Sequence, residues 1–169
     1  MNHTESRIQQ QCIAWFRAEY PEFTMLLTHV ANEGNAHSRV SGAIHKAEGT
    51  VAGVADLILF AASDVGIPYK EGVVLLRHYH GLGIEMKTKL GKQTQQQKDF
   101  QRMFEAAGFM YVVIRSLEEF QEVIRNYIKG IKDDTRKEIR DANRARLKEQ
   151  EDREREKFYK VINNKNKKS

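Results

Sequence analysis

The chain has 169 residues, a mass of 19.6 kDa and 40% hydrophobic residues, which allows one domain of ordinary size with an appendage and excludes two large domains. The net charge of +5 is unevenly placed: residues 1–128 carry 13 Lys/Arg against 14 Asp/Glu, whereas residues 129–169 carry 15 against 9. A basic tail on a near-neutral body points to a polyanionic partner, although charge alone does not separate nucleic acid from an acidic membrane.

The single cysteine, Cys12, rules out an intrachain disulfide framework, and no Cys/His cluster has the paired spacing of a structural zinc site. No apolar run has the length of a membrane span, and Met1–Gln11 lacks the apolar segment of a signal peptide. A soluble protein of the cytoplasm is the expectation.

Residues 3–19 predict a helix, because Ile8, Cys12, Trp15 and Phe16 recur on one face and Pro21 follows its end. Thr24–Val30 predicts a strand, and the polar stretch 31–53 is long enough for a functional or mobile loop. Val54–Ala61, Val73–Arg77 and Leu82–Thr88 predict three strands, the last two joined as a hairpin around His80-Gly81. Thr94 opens a second helix with Phe100, Met103, Phe104 and Ala107 on one face and Gly108 as its stop; Tyr111–Arg115 is the next core strand. Ser116-x-x-Glu119 has the form of a capping box ahead of a helix with Phe120, Val123, Ile124 and Tyr127 on its apolar stripe.

From Lys132 large apolar residues thin out and acid-first pairs such as Asp133/Lys137 and Glu149/Arg153 recur at i,i+4, which predicts a solvated helix with a disordered Asn/Lys end. The expected division is a folded domain over 1–128 and a charged helical tail over 129–169. The tail's pattern does not support a stable coiled coil.

The informative charges lie inside apolar strands: Asp56 in one, Glu85-Met86-Lys87 in another. Buried strands do not carry charges without a compensating partner. Alternation places Glu85 and Lys87 on one face, so if the strand of Asp56 lies alongside, two carboxylates and an ammonium converge. Close carboxylates repel, and a hard divalent cation, Mg²⁺ or Mn²⁺, removes the conflict by accepting their oxygens. Such an ion with a nearby lysine is the equipment of a metal-dependent nuclease.

Gly53-Val54-Ala55-Asp56-Leu57-Ile58-Leu59, Ile84-Glu85-Met86-Lys87 and Thr94-Gln95-Gln96-Gln97-Lys98-Asp99-Phe100 resemble the successive motifs of the VRR-NUC branch of the PD-(D/E)XK nucleases. The resemblance runs from about Glu5 to Ile124 and is strongest to the small stand-alone proteins of phages and bacteria. It implies an α/β fold, a restriction-endonuclease-like mixed sheet flanked by helices, here with a basic helical C-terminal extension. It also implies that Asp56 and Glu85 are metal ligands with the Met86 carbonyl, and that Lys87 is the catalytic lysine. Gln97 matches the family's glutamine on the following helix, and Glu5 the acidic residue on the first helix. Two departures, Ala55 for the usual proline and Thr94-Gln95 for the usual Ser-Pro, remove no ligand. The implied activity is Mg²⁺- or Mn²⁺-dependent hydrolysis of DNA phosphodiesters leaving a 5′-phosphate, extending to four-way junctions or flaps and carried out by a homodimer. The alternative is a non-catalytic nucleic-acid-binding module of the same fold.

Some of these residues have simpler readings. Thr94-x-x-Gln97 is itself a capping box, and Glu5 lies three residues after Asn2, where it would serve a first turn. His78 and His80 share a strand face but lack a third ligand at suitable spacing. His29, His37, His45, Arg39 and Lys46 around the long loop, and Lys89 and Lys92 after the catalytic strand, suit either phosphate contacts or plain solvation. Trp15, Phe16, Phe100, Phe104 and Phe120 have the spacing of packing residues.

Overall fold

In a computed structural model the described residues are 3–30, 47–68 and 74–166. The chain runs α1 (His3–Glu19), a 3-10 turn (Pro21–Phe23), β1 (Leu27–His29), β2 (Leu57–Leu59), β3 (Ser63–Pro68), β4 (Val74–Tyr79), β5 (Leu82–Met86), α2 (Gln95–Ala106), β6 (Met110–Ile114), α3 (Leu117–Lys129) and α4 (Asp133–Asn166). The long loop expected over 31–53, with His37, Arg39, His45 and Lys46, lies largely outside the described residues, as does Asn2.

The mixed α/β architecture is as expected: a four-stranded sheet in the order β1-β2-β5-β6 and a separate two-stranded sheet, β3-β4. β2 is antiparallel to β1 and β5, whereas β5 and β6 are parallel and joined through α2. That crossover covers the middle of the sheet, so every residue of β2 and β5 is buried. The absence of a side chain at Gly83 gives α2 its close seat, since a Cβ there would stand 2.8 Å from the Phe104 ring.

The expected hairpin around His80-Gly81 is not formed. β4 pairs instead with β3, a strand the sequence reading missed, and β5 crosses into the main sheet between β2 and β6. The joint is fixed by long-range bonds: His80 N donates to Gly108 O at 3.0 Å and Met110 N to Gly81 O at 2.9 Å. The missed strand, Ser-Asp-Val-Gly-Ile-Pro, has a glycine and a terminal proline and no run of β-branched residues.

Thr24–Leu26 forms turns rather than the start of β1, which begins at Leu27. The α2 stripe is narrower than the periodicity predicts, because Met103 is 73% exposed and the packing falls to Phe100 and Phe104. Their rings are stacked with centroids 5.2 Å apart, and Phe104 stacks on Phe109 at 4.3 Å. On the other side, Trp15 of α1 meets Phe120 of α3 edge-on at 6.0 Å. The C-terminal end of α3 is tied to the β3 region: Ser63 Oγ donates to Tyr127 O at 2.6 Å, and the Tyr127 hydroxyl donates to Ala61 O at 2.7 Å.

Both expected helix starts are capped. Ser116 Oγ accepts from Glu119 N at 3.2 Å, but the Glu119 carboxylate takes the N–H of Arg115 instead of Ser116, so the box is shifted by one residue. The chain divides into two units, 1–132 and 133–169. The second is one 34-residue helix of mixed charge, with Lys137 paired to Asp141 one turn on at 3.1 Å. No described helix is long and apolar enough to cross a membrane.

Candidate active site

The site is assembled by the β2–β5 pairing. Leu57 lies opposite Ile84, and one step further along that register Asp56 comes opposite Glu85. Asp56 precedes the first residue of β2, with Val30 N donating to its carbonyl at 2.9 Å as the β1–β2 ladder ends. Its side chain turns to the neighbouring strand, where Oδ2 accepts the Met86 N–H at 2.8 Å. Glu85 and Lys87 share a face as alternation requires, with Lys87 Nζ 2.5 Å from Glu85 Oε1 and 3.3 Å from the Met86 carbonyl oxygen. Asp56, Glu85 and Lys87 are 7%, 0% and 8% exposed, so this is a buried ionic cluster and not an edge-strand ion pair.

Gln97 makes two hydrogen bonds from opposite ends of its amide. Its Oε1 accepts the Thr94 N–H at 2.8 Å, completing the capping box, while its Nε2 donates to Glu85 Oε1. The cap thus fixes the side chain whose other end holds the carboxylate. Glu5 also comes to the site, but its Oε1 accepts the backbone N–H of Thr88 at 3.0 Å, just past the ExK strand. Among the described residues no group of three His, Cys, Asp or Glu side chains converges as a metal cluster. The oxygens that could serve as donors to a cation are those of the Asp56 and Glu85 carboxylates and the Met86 carbonyl, whereas Glu5 is bonded to the Thr88 backbone.

Burial pushes the Asp56 carboxyl above its usual range, against the lowering influence of the Met86 N–H, Lys87 and His29; Glu5 adds to the rise. Burial likewise raises Glu85, opposed by its hydrogen bond from Lys87 and reinforced by the charge of Asp56. Two carboxyls raised by desolvation, with the charge of Asp56 adding to the rise of Glu85, form a site that a cation would relieve. Hard oxygen donors of this kind suit Mg²⁺ or Mn²⁺.

Several contributors escaped the sequence reading. The Tyr111 hydroxyl donates to Glu85 Oε2 at 3.2 Å, so both carboxylate oxygens have partners, and burial together with Glu85 raises the phenol. No local signal marks Tyr111, because its role depends on the parallel β5–β6 pairing. Arg115 Nη1 donates to Thr88 O at 2.5 Å and Gly91 O at 2.8 Å, bracing the turn after Lys87. Gly53 lies against the first turn of α2, at φ +85°. Gln9 had a readable signal: with Glu5, Cys12 and Phe16 it falls on the buried stripe of α1, where a polar residue needs a partner. It contacts His29, which in turn contacts Asp56.

Two further histidines, His78 and His80, have protein partners. His78 Nδ1 lies 2.7 Å from Asp64 Oδ1 across the β3–β4 pair, and His80 Nδ1–H donates to Ala107 O at 3.1 Å. Lys89 and Lys92 are exposed.

A mixed sheet that brings a buried aspartate beside a Glu-x-Lys strand, with a helix returning a glutamine to the glutamate, resembles the arrangement of the PD-(D/E)XK nucleases. The structure matches a solved "VRR_NUC domain protein" with a TM-score of 0.59 and 25% identity, over 77% of this chain and 92% of that one. The motif resemblance thus has a structural counterpart, and it implies a nuclease of that superfamily that uses a divalent metal. No protein-family model matches the chain, and no curated protein matches its sequence.

Proposed function

We propose that the chain is a Mg²⁺- or Mn²⁺-dependent DNA endonuclease that hydrolyses phosphodiester bonds and leaves 5′-phosphate ends. The observation that carries this reading is the buried triad of Asp56, Glu85 and Lys87, held in one register by β2 and β5. Asp56, Glu85 and the Met86 carbonyl would hold the ion, consistent with their hard oxygen chemistry. When bound, the ion supplies Lewis acidity to an attacking water and to the phosphoryl oxygens.

The rest of the chemistry belongs to the side chains. Lys87, held beside Glu85 and the Met86 carbonyl, is a donor able to orient the attacking water and stabilise charge building on phosphorus. Gln97 and Tyr111 act on opposite oxygens of Glu85 and fix its plane. Glu5 secures the backbone at Thr88, one residue past Lys87. These contacts place the reacting groups before substrate arrives, which is the main contribution a protein makes to phosphoryl chemistry.

One such site cuts one strand, so we propose a homodimer for paired cuts on four-way junctions, each copy acting on one strand across a two-fold axis. The test is cleavage of linear, flapped and four-way-junction DNA under Mg²⁺, Mn²⁺ or EDTA, with the oligomeric state read by sedimentation. Metal-dependent cutting is expected, most efficient on the branched substrates. Binding of every DNA shape with cutting of none would instead support a non-catalytic nucleic-acid-binding module.

A further inference from the structure

One turn along α1 from Glu5, Gln9 is 8% exposed, and its Oε1 is buried without a hydrogen-bond partner among the described residues. Its Nε2 stands 2.9 Å from His29 Nδ1, and that nitrogen stands 2.9 Å from the Asp56 carbonyl oxygen. A carbonyl oxygen only accepts, so Nδ1 carries a proton and donates it; a ring nitrogen that donates cannot also accept from an amide NH₂. The amide of Gln9 is therefore turned over, with its oxygen sharing the Nδ1–H and its NH₂ where the unpartnered atom stands. Amide oxygen and nitrogen are distinguished only by such a network. The outcome is a pair of buried N–H donors that lack an acceptor among the described residues, a costly arrangement unless a ligand or solvent supplies one.

Gln9 lines a groove of about 400 Å³ along α1, together with Ser6, Gln10, Ile13, Arg17 and His29. Among the described residues no carboxylate lines it. Ser6 already accepts from Gln10 Nε2 at 3.3 Å, which leaves its own O–H to donate. Hydroxyl and guanidinium donors therefore face a groove that has the buried Gln9 amide in its lining and, beside it, the exposed His29, which is bonded to the residue carrying the Asp56 carboxylate. The chemistry selects an anion with several acceptor oxygens.

We propose that this groove is a subsite for a backbone phosphodiester of the nucleic-acid strand, next to the one presented to Asp56 and Glu85, with Gln9 and Arg17 as its binding residues. The inference rests on the nuclease reading of the neighbouring site. A phosphate held here fixes the register of the strand without reading its sequence. His29 transmits that register, since one imidazole nitrogen serves both Gln9 and the Asp56 backbone. A strand seated in the groove is thereby placed relative to the acid pair.

The experiment measures DNA affinity of the full chain in Ca²⁺ and in EDTA, using short duplexes in which single phosphates are replaced in turn by neutral methylphosphonates. In the wild type one position is expected to weaken binding by about five- to tenfold. Arg17→Ala should bind the unmodified duplex about equally weakly and lose nothing more when that position is neutralised. Gln9→Glu keeps an acceptor for His29 but places a negative charge in the groove; it should bind still more weakly and recover part of the loss on the same methylphosphonate duplex. That position-specific recovery is something a purely structural defect would not produce. Losses that are equal at every position, or absent in both variants, overturn the subsite. Should Gln9→Glu fail to fold, the exposed Arg17 carries the test alone. DNA cut in Mg²⁺ without any such position defeats the groove only, whereas the expected pattern without cutting defeats the nuclease reading only; absence of wild-type binding defeats both.

Discussion

Replacing Gly53 by alanine tests whether the loop before β2 is seated on α2. Gly53 has φ +85°, and a Cβ there would lie 2.5 Å from the carbonyl carbon and oxygen of Gln96 and 2.7 Å from Gln97 N. Those are backbone atoms of the first turn of α2, so no rotamer change relieves the collision. A left-handed alanine costs about 1–2 kcal/mol. Displacing packed backbone adds about 1–3 kcal/mol. Together, Gly53→Ala should lower stability by about 2–5 kcal/mol, and the melting temperature by about 6–15 °C for a domain of this size. Gly49→Ala is the internal control, because its φ is +94° but nothing lies within 4 Å of the added Cβ. It should lose only the conformational part, about 3–6 °C. The assay is thermal unfolding by circular dichroism on both variants in parallel. Equal losses would refute the close approach of Gly53 to α2, and with it the packing that aims Gln97 at Glu85.

Three further outcomes follow from the site. Because burial raises Asp56 and Glu85, the folded chain holds more protons than the unfolded one between the ordinary and raised carboxyl pKa values; their contribution to stability is present at acid pH and lost as pH rises. In EDTA, the melting temperature of Glu85→Gln relative to wild type should therefore rise as pH is increased from about 4 upward, and Mg²⁺ at neutral pH should stabilise the wild type more than the variant; a flat difference would contradict the electrostatics. Tyr111→Phe removes the donor to Glu85 Oε2 and should cost about 1–2 kcal/mol in thermal unfolding, with an unchanged melting temperature showing that the contact is not made. Burial holds Cys12 at 0% exposure and pushes its thiol up to about 12; a thiol reagent should label it at least about a thousandfold more slowly in native buffer than in denaturant, and rapid native labelling would place α1 differently.

The chemistry-bearing part of the site was legible because charges inside apolar strands are costly. Asp56, Glu85 and Lys87 declare themselves by context, and alternation alone places the last two on one face. Gln97 was marked as a helix cap and as the counterpart of the family's glutamine; the cap is formed, and the bond from the other end of the side chain to Glu85 follows from the seating of α2. What local pattern did not reveal was pairing across the sequence. The order β1-β2-β5-β6 and the breaking of the chain at His80-Gly81 depend on bonds to Gly108 and Met110, which no window around residue 80 contains. Tyr111 was hidden for the same reason, since the register of a parallel strand brings it to Glu85. Glu5 was expected to reach the metal or its waters; its bond to the Thr88 backbone depends on the end of β5, not on anything in the first helix.

The most direct test of the account is single-turnover cleavage of a labelled four-way junction by wild type and Lys87→Ala, in Mg²⁺ and in EDTA, with DNA binding measured alongside. The account predicts cutting that requires the metal and falls by at least about a hundredfold in Lys87→Ala while the variant still binds DNA. Cutting in EDTA, or a variant that cuts as fast as wild type, would contradict it.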